Sequence, residues 1–119
     1  MGLFSFHDKK QSKNRIKLHT DLHSHILPGI DDGASDLKES LEMAQSFINA
    51  GVHKIITTPH VHPGIYDNTS QDISNAAHNF QDALKAENIP LKLEYAAEYF
   101  VCPEVLTLMQ AGEILSFGW

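Results

Sequence analysis

The feature that most restricts the fold of this chain is a repeated change of period. Short β-rich runs give way, each time, to stretches with helical spacing. Residues 16–22 alternate Ile16, Leu18 and Leu22 with polar neighbours, which predicts a strand. Pro28-Gly29 and Asp31-Asp32-Gly33 punctuate a loop. Ser35 is then the expected helix N-cap, with Asp36 and Glu39 in the first turn, where the helix dipole favours acids. Leu37, Leu41, Ala44 and Ile48 repeat at helical spacing, and Gly51 closes the pattern. A second strand is predicted over 52–58, ended by Pro59. Thr69 or Ser70 can cap a second helix, whose stripe runs Ile73, Ala76, Ala77, Phe80, Ala83, Leu84 and stops before Pro90. Residues 91–99 read as a third strand, 103–112 as a short helix, and 114–117 as the opening of a fourth strand. Strands that alternate with helices call for a parallel sheet covered by helices, either open or closing into a barrel.

With 119 residues, there is room for one domain with a modest core. A 42% hydrophobic content with 20% charged residues fits an ordinary globular protein. No apolar run reaches the roughly 20 residues of a membrane span, and the N-terminus has neither a signal-peptide pattern nor the Ser or Thr of a myristoylation signal at Phe6. The lone Cys102 cannot form an internal disulfide, which fits a reducing cytoplasm; a half-buried thiol is the expected reading. Charge is uneven. Residues 1–17 carry five cations against Asp8, a balance of +4, and the remainder carries four lysines against fourteen acids, a balance of −10. Residues 1–15 therefore read as a basic, flexible leader and 16–119 as the folded part. An acidic body argues against nucleic acid as the main partner.

Eight histidines in a small acidic domain raise the expectation of a metal site. Strand alternation puts His23 and His25 on one face, with Ser24 turned away, at the C-terminal end of the first strand. Parallel α/β folds place their active sites at that end. His60 follows the second strand, Glu98 lies near the end of the third, and Asp31-Asp32 sits in the loop above the same rim. Mixed imidazole and carboxylate donors suit manganese, iron or zinc, and the lack of a cysteine set disfavours a structural zinc site. Asp21 is placed to accept a hydrogen bond from a ligand imidazole. His62 reads as a loop residue near the substrate mouth. His7, His19, His53 and His78 lack such a context and are expected to be structural or exposed. No Gly-rich phosphate loop and no Gly-x-Ser-x-Gly elbow is present.

With these residues in view, the chain resembles the polymerase and histidinol phosphatase (PHP) superfamily. Within it, the chain is most similar to the manganese-dependent protein-tyrosine phosphatases of bacterial capsule and exopolysaccharide systems. The matching stretches run from Asp21 through His23-Ser24-His25 to Asp31-Asp32-Gly33, from Thr57 through Pro59-His60 to Gly64, and from Tyr95 through Glu98 to Phe100. The resemblance implies the N-terminal part of a distorted (β/α) TIM-like barrel holding two or three divalent metal ions. It implies that His23 and His25 hold one ion, that Asp32 and His60 hold another, and that Glu98 bridges them. The metals would then activate water for attack on phosphotyrosine in proteins, an autophosphorylating tyrosine kinase being the implied partner.

Members of this group are longer and carry further ligands in their second half, so the chain is expected to be an incomplete domain. Only Arg15 supplies a guanidinium, and it lies in the leader. Alternatives are a PHP phosphatase for small phosphoesters such as histidinol phosphate, and a metal-binding fragment without turnover. Too few strands to close a barrel would leave a sheet edge open, from which self-association as a homo-oligomer is expected.

Overall fold

The computed structural model describes residues 20–116. The leader, the strand residues before Thr20, His7, His19 and Phe117 lie outside the described residues.

The expected alternation is present. A three-stranded sheet runs in the order β1 (Thr20–Asp21), β2 (Lys54–Thr57), β4 (Lys92–Tyr95), and both pairings are parallel. Between these strands lie α1 (Leu37–Asn49) and α2 (Ser70–Ala86). The strands β3 (His60–Val61) and β5 (Glu98–Tyr99) pair in parallel as a second, two-stranded sheet, and α3 (Pro103–Gln110) follows. The molecule is α/β, with parallel strands and helices alternating.

The strand predicted over 52–58 ends before Pro59 as expected, and the strand predicted over 91–99 is interrupted at the same level. Proline has no N–H for the ladder. Strand β2 stops at Thr57 and the chain resumes as β3, while its neighbour stops at Tyr95 and resumes as β5. Backbone bonds from Ala96 N–H to the Thr57 carbonyl (3.0 Å) and from Glu98 N–H to the Pro59 carbonyl (2.8 Å) carry the pairing across the gap. The single strand expected over 91–99 is therefore two short strands in two sheets. Residues 114–116, expected to open a fourth strand, have no strand pairing; Leu115 N–H instead donates to the Tyr99 hydroxyl at 2.6 Å.

The first helix starts one residue later than Ser35 would place it. Asp36 is the N-cap and accepts from Glu39 N–H at 2.8 Å, while the Ser35 hydroxyl donates to the Glu39 carboxylate. Its buried face is Ser40, Ala44 and Phe47, with Leu41 and Ile48 at the margin and Leu37 exposed, a line rotated from the apolar one. Helix α2 opens with a capping box between Thr69 and Asp72 and buries Ile73, Ala77, Phe80 and Leu84, spaced as one helical face. These side chains meet Ile26, Leu27, Val52, Ile55 and Leu91 in one core. Among the described residues, no helix is long and apolar enough to cross a membrane.

Candidate metal centre

The parallel ladder delivers the first part of the site. In the β3–β5 register, His60 stands directly beside Glu98, and the His60 Nδ1 to Glu98 Oε2 distance is 2.6 Å. The second part comes from the segment after β1. Regular strand ends at Asp21, so His23 and His25 are not on the strand expected to carry them. The segment still follows β2, because Thr58 N–H donates to the Ser24 carbonyl at 2.8 Å. Ser24 turns inward and is buried, and both imidazoles turn to the Glu98 carboxylate. His23 Nε2 lies 3.2 Å from Oε1 and His25 Nε2 lies 3.9 Å from Oε2.

Three imidazoles therefore converge on one carboxylate. The His25 and His60 rings stack at 4.5 Å between centroids, and Tyr66 stacks on the outer face of His60 at 5.5 Å. Asp32, on the loop above, brings Oδ1 to 3.3 Å from His60 Nε2. Two donor groups share His25: His23, His25 and Glu98 form one; His25, Asp31, Asp32 and His60 form the other. Within each, ligand atoms lie within 4.8 Å of one another.

Two orienting residues were not legible in the sequence. Thr58, buried, places its hydroxyl 2.7 Å from His23 Nδ1. Asp31, whose side chain is fully buried, meets His25 Nδ1 at 2.9 Å and accepts the backbone N–H groups of Gly33 (3.0 Å) and His60 (2.9 Å). Burial alone would raise the pKa of this carboxyl, but the hydrogen bonds from His60, Gly33 and His25 outweigh it and hold the pKa below the usual range. The signal available was the Asp-x-Gly spacing, in which an aspartate accepts its own backbone two residues on.

Asp21 does not fill the role expected of it. It is buried, its contact with His23 is to the backbone N–H rather than to the ring, and Oδ2 has no hydrogen-bond partner among the described residues. Burial pushes its pKa up, against the smaller opposing effect of the His23 N–H. The reason is position: Asp21 still belongs to regular strand, and the chain bends at Leu22 before it reaches the two imidazoles. His62 is not in the cluster; its ring stacks on Phe100 at 4.0 Å. His78 lies near Ser74 and Tyr95 on α2, away from the site. Cys102 is half-buried at the N-cap of α3 and makes no side-chain cap bond.

The donor set fits divalent cations. Three carboxylates meet three imidazoles, and among the described residues the cationic side chain of Lys54 pairs elsewhere, with Glu94. Such a cluster of oxygen and imidazole nitrogen donors is the mixture that manganese, iron and zinc accept. Separately, a groove of about 650 Å³ is lined by Val61, Tyr66, Asn68, Tyr99, Leu108 and Leu115 among others, and none of the six donor residues stands in its wall.

Comparison with known proteins identifies the family. The tyrosine-protein phosphatase YwqE of Bacillus subtilis (strain 168) is 38% identical over 98 residues, covering 82% of this chain and 39% of that protein. The tyrosine-protein phosphatase CpsB of Streptococcus pneumoniae is 27% identical over 94 residues, covering 79% of this chain and 39% of that protein. Among solved structures, one from a study of YwqE and CpsB as metal-dependent tyrosine phosphatases superposes with a TM-score of 0.75 at 37% identity, covering 82% of this chain and 39% of that one. The chain thus spans about two fifths of the length of these relatives. Residues 19–118 match the family described as capsular polysaccharide synthesis, CpsB/CapC, and the chain belongs to that family.

Proposed function

We propose that the chain supplies the metal-binding part of a metal-dependent protein-tyrosine phosphatase that regulates capsule or exopolysaccharide synthesis. The observation that carries this reading is the convergence of His23, His25 and His60 on Glu98, with Asp32 beside them. In this reading residues 16–119 are the N-terminal part of a (β/α) barrel, residues 1–15 are a leader, and the enzyme works in the cytoplasm. Its substrate is a phosphotyrosine protein, with an autophosphorylating bacterial tyrosine kinase as the partner. Manganese is the preferred ion among the three metals the donors accept.

Bound divalent ions supply neutralisation of phosphoryl oxygens and activation of water at neutral pH. The chain's own residues do the rest. His23 and His25 present Nε2, Thr58 and Asp31 hold their opposite nitrogens, and Glu98 lies between the donors from both sides. The test, made on a protein extended to the length of the relatives, is phosphate release, with and without Mn²⁺, from a phosphotyrosyl peptide, a phosphoseryl peptide and histidinol phosphate. Mn²⁺-dependent preference for phosphotyrosine, lost in His23→Ala, is the expected result. Faster release from histidinol phosphate would overturn the assignment of substrate.

A further inference from the structure

We propose that Asp31 is a positioning residue of the metal centre, holding the His25 proton on Nδ1 so that Nε2 is the nitrogen offered to the ion. The inference rests on the reading that His25 and His60 hold metal. Twin aspartates stand side by side in the loop, and the structure separates their tasks. The Asp31 side chain is fully buried, whereas the Asp32 side chain is 63% exposed and reaches His60 from above.

The hydrogen bonds of Asp31 determine the proton on His25. Its Oδ2 accepts the backbone N–H of His60 at 2.9 Å and lies 2.9 Å from His25 Nδ1; its Oδ1 accepts the N–H of Gly33 at 3.0 Å. An ionised carboxylate can only accept, so the third bond requires a proton on Nδ1. A neutral imidazole protonated there carries its lone pair on Nε2. That nitrogen faces Glu98 Oε2 at 3.9 Å, inside the donor group shared with His23. With three bonds already on its two oxygens, Asp31 is better employed in holding donors than in being one. One carboxylate also ties a side chain from the segment after β1 to the backbone at the start of β3, so both ligand-bearing segments are registered to a common point.

In the metal-free full chain, long-range proton–nitrogen NMR reads the His25 tautomer directly. A proton on Nδ1 is expected; a proton on Nε2 overturns the proposal without any variant. Asp31→Asn is expected to lose the single tautomer and to weaken Mn²⁺ binding, followed by titration calorimetry, by about 10–100-fold. A folded Asp31→Asn chain with the wild-type tautomer and wild-type Mn²⁺ affinity overturns it. Failure of the wild-type chain to bind Mn²⁺ overturns the metal centre itself. That failure is distinguishable, because the tautomer is measured with no metal present.

Discussion

Gly33→Ala should damage both the fold and the site, through one clash. An ideal Cβ on Gly33 would stand 2.1 Å from the His25 carbonyl oxygen and 2.5 Å from the His25 Cβ, where ordinary contact begins near 3.4 Å. Neither atom is the free end of a flexible side chain, so backbone must separate by about 1 Å to restore a normal contact distance. Two bonds span that gap. One runs from Ala34 N–H to the His25 carbonyl (3.1 Å), and the other joins His25 Nδ1 to Asp31 (2.9 Å). The first is worth about 1 kcal/mol and the second, being charge-assisted, about 1.5–3 kcal/mol, so the expected loss is about 3 kcal/mol. Gly51→Ala is the comparison: Gly51 has φ +89° and open space around it, so it meets only a conformational penalty of about 1–2 kcal/mol. Urea unfolding of the metal-free proteins measures both. Mn²⁺ titration separates them, since Gly33→Ala should weaken binding about tenfold or more and Gly51→Ala should not. A Gly33→Ala protein with wild-type Mn²⁺ affinity, or one destabilised no more than Gly51→Ala, would refute the reasoning.

Glu98→Gln removes the carboxylate that three imidazoles share, so Mn²⁺ binding should fall by at least about tenfold while far-UV circular dichroism stays unchanged. Thr58→Val keeps the buried volume but leaves His23 Nδ1 without its hydroxyl partner; Mn²⁺ affinity should drop about tenfold in calorimetry. Asp21, with its pKa raised by burial, holds a proton more readily folded than unfolded, so its contribution to stability is lost as pH climbs from the ordinary carboxylate value through the raised one. Asp21→Asn should therefore raise the urea midpoint of the metal-free chain at pH 7 and have little effect at pH 3. Saturating Mn²⁺ should stabilise the chain by about 2.7 kcal/mol at a hundredfold excess over Kd, seen as a rise in Tm that a chelator reverses.

Much of the rim was readable because a parallel sheet turns chain order into spatial order. His60 and Glu98, each just past a predicted strand, could be expected to be neighbours, and the register makes them so. His23 and His25 do meet Glu98, but not along the strand expected to carry them. Strand alternation would have aligned them, yet regular strand ends at Asp21, and it is the Thr58 bond to Ser24 that keeps their segment alongside β2. What stayed hidden depended on distant contacts. Composition does not say which of two adjacent aspartates is buried, nor that a threonine next to a proline will face an imidazole. Asp21 was misassigned because alternation cannot see the bend at Leu22. The stripe on α1 was off by part of a turn for a similar reason: periodicity marks an apolar line, but tertiary packing decides which side of that line is buried.

The interruption at Pro59 has a consequence for how the molecule breathes. Because β2 and β4 end before the break and β3 and β5 begin after it, His60 and Glu98 stand on a two-residue ladder distinct from the core ladder, while His23 and His25 lie on the segment held beside β2. Opening of one need not open the other. Amides of Ile55 and Ile56, deep in the sheet, should exchange with solvent hydrogen only on global unfolding. Those of Val61 and Phe100, at the outer ladder, should exchange through smaller excursions. The His60 and Glu98 side of the centre is therefore expected to open without the sheet beneath it, while the His23 and His25 side follows the core ladder.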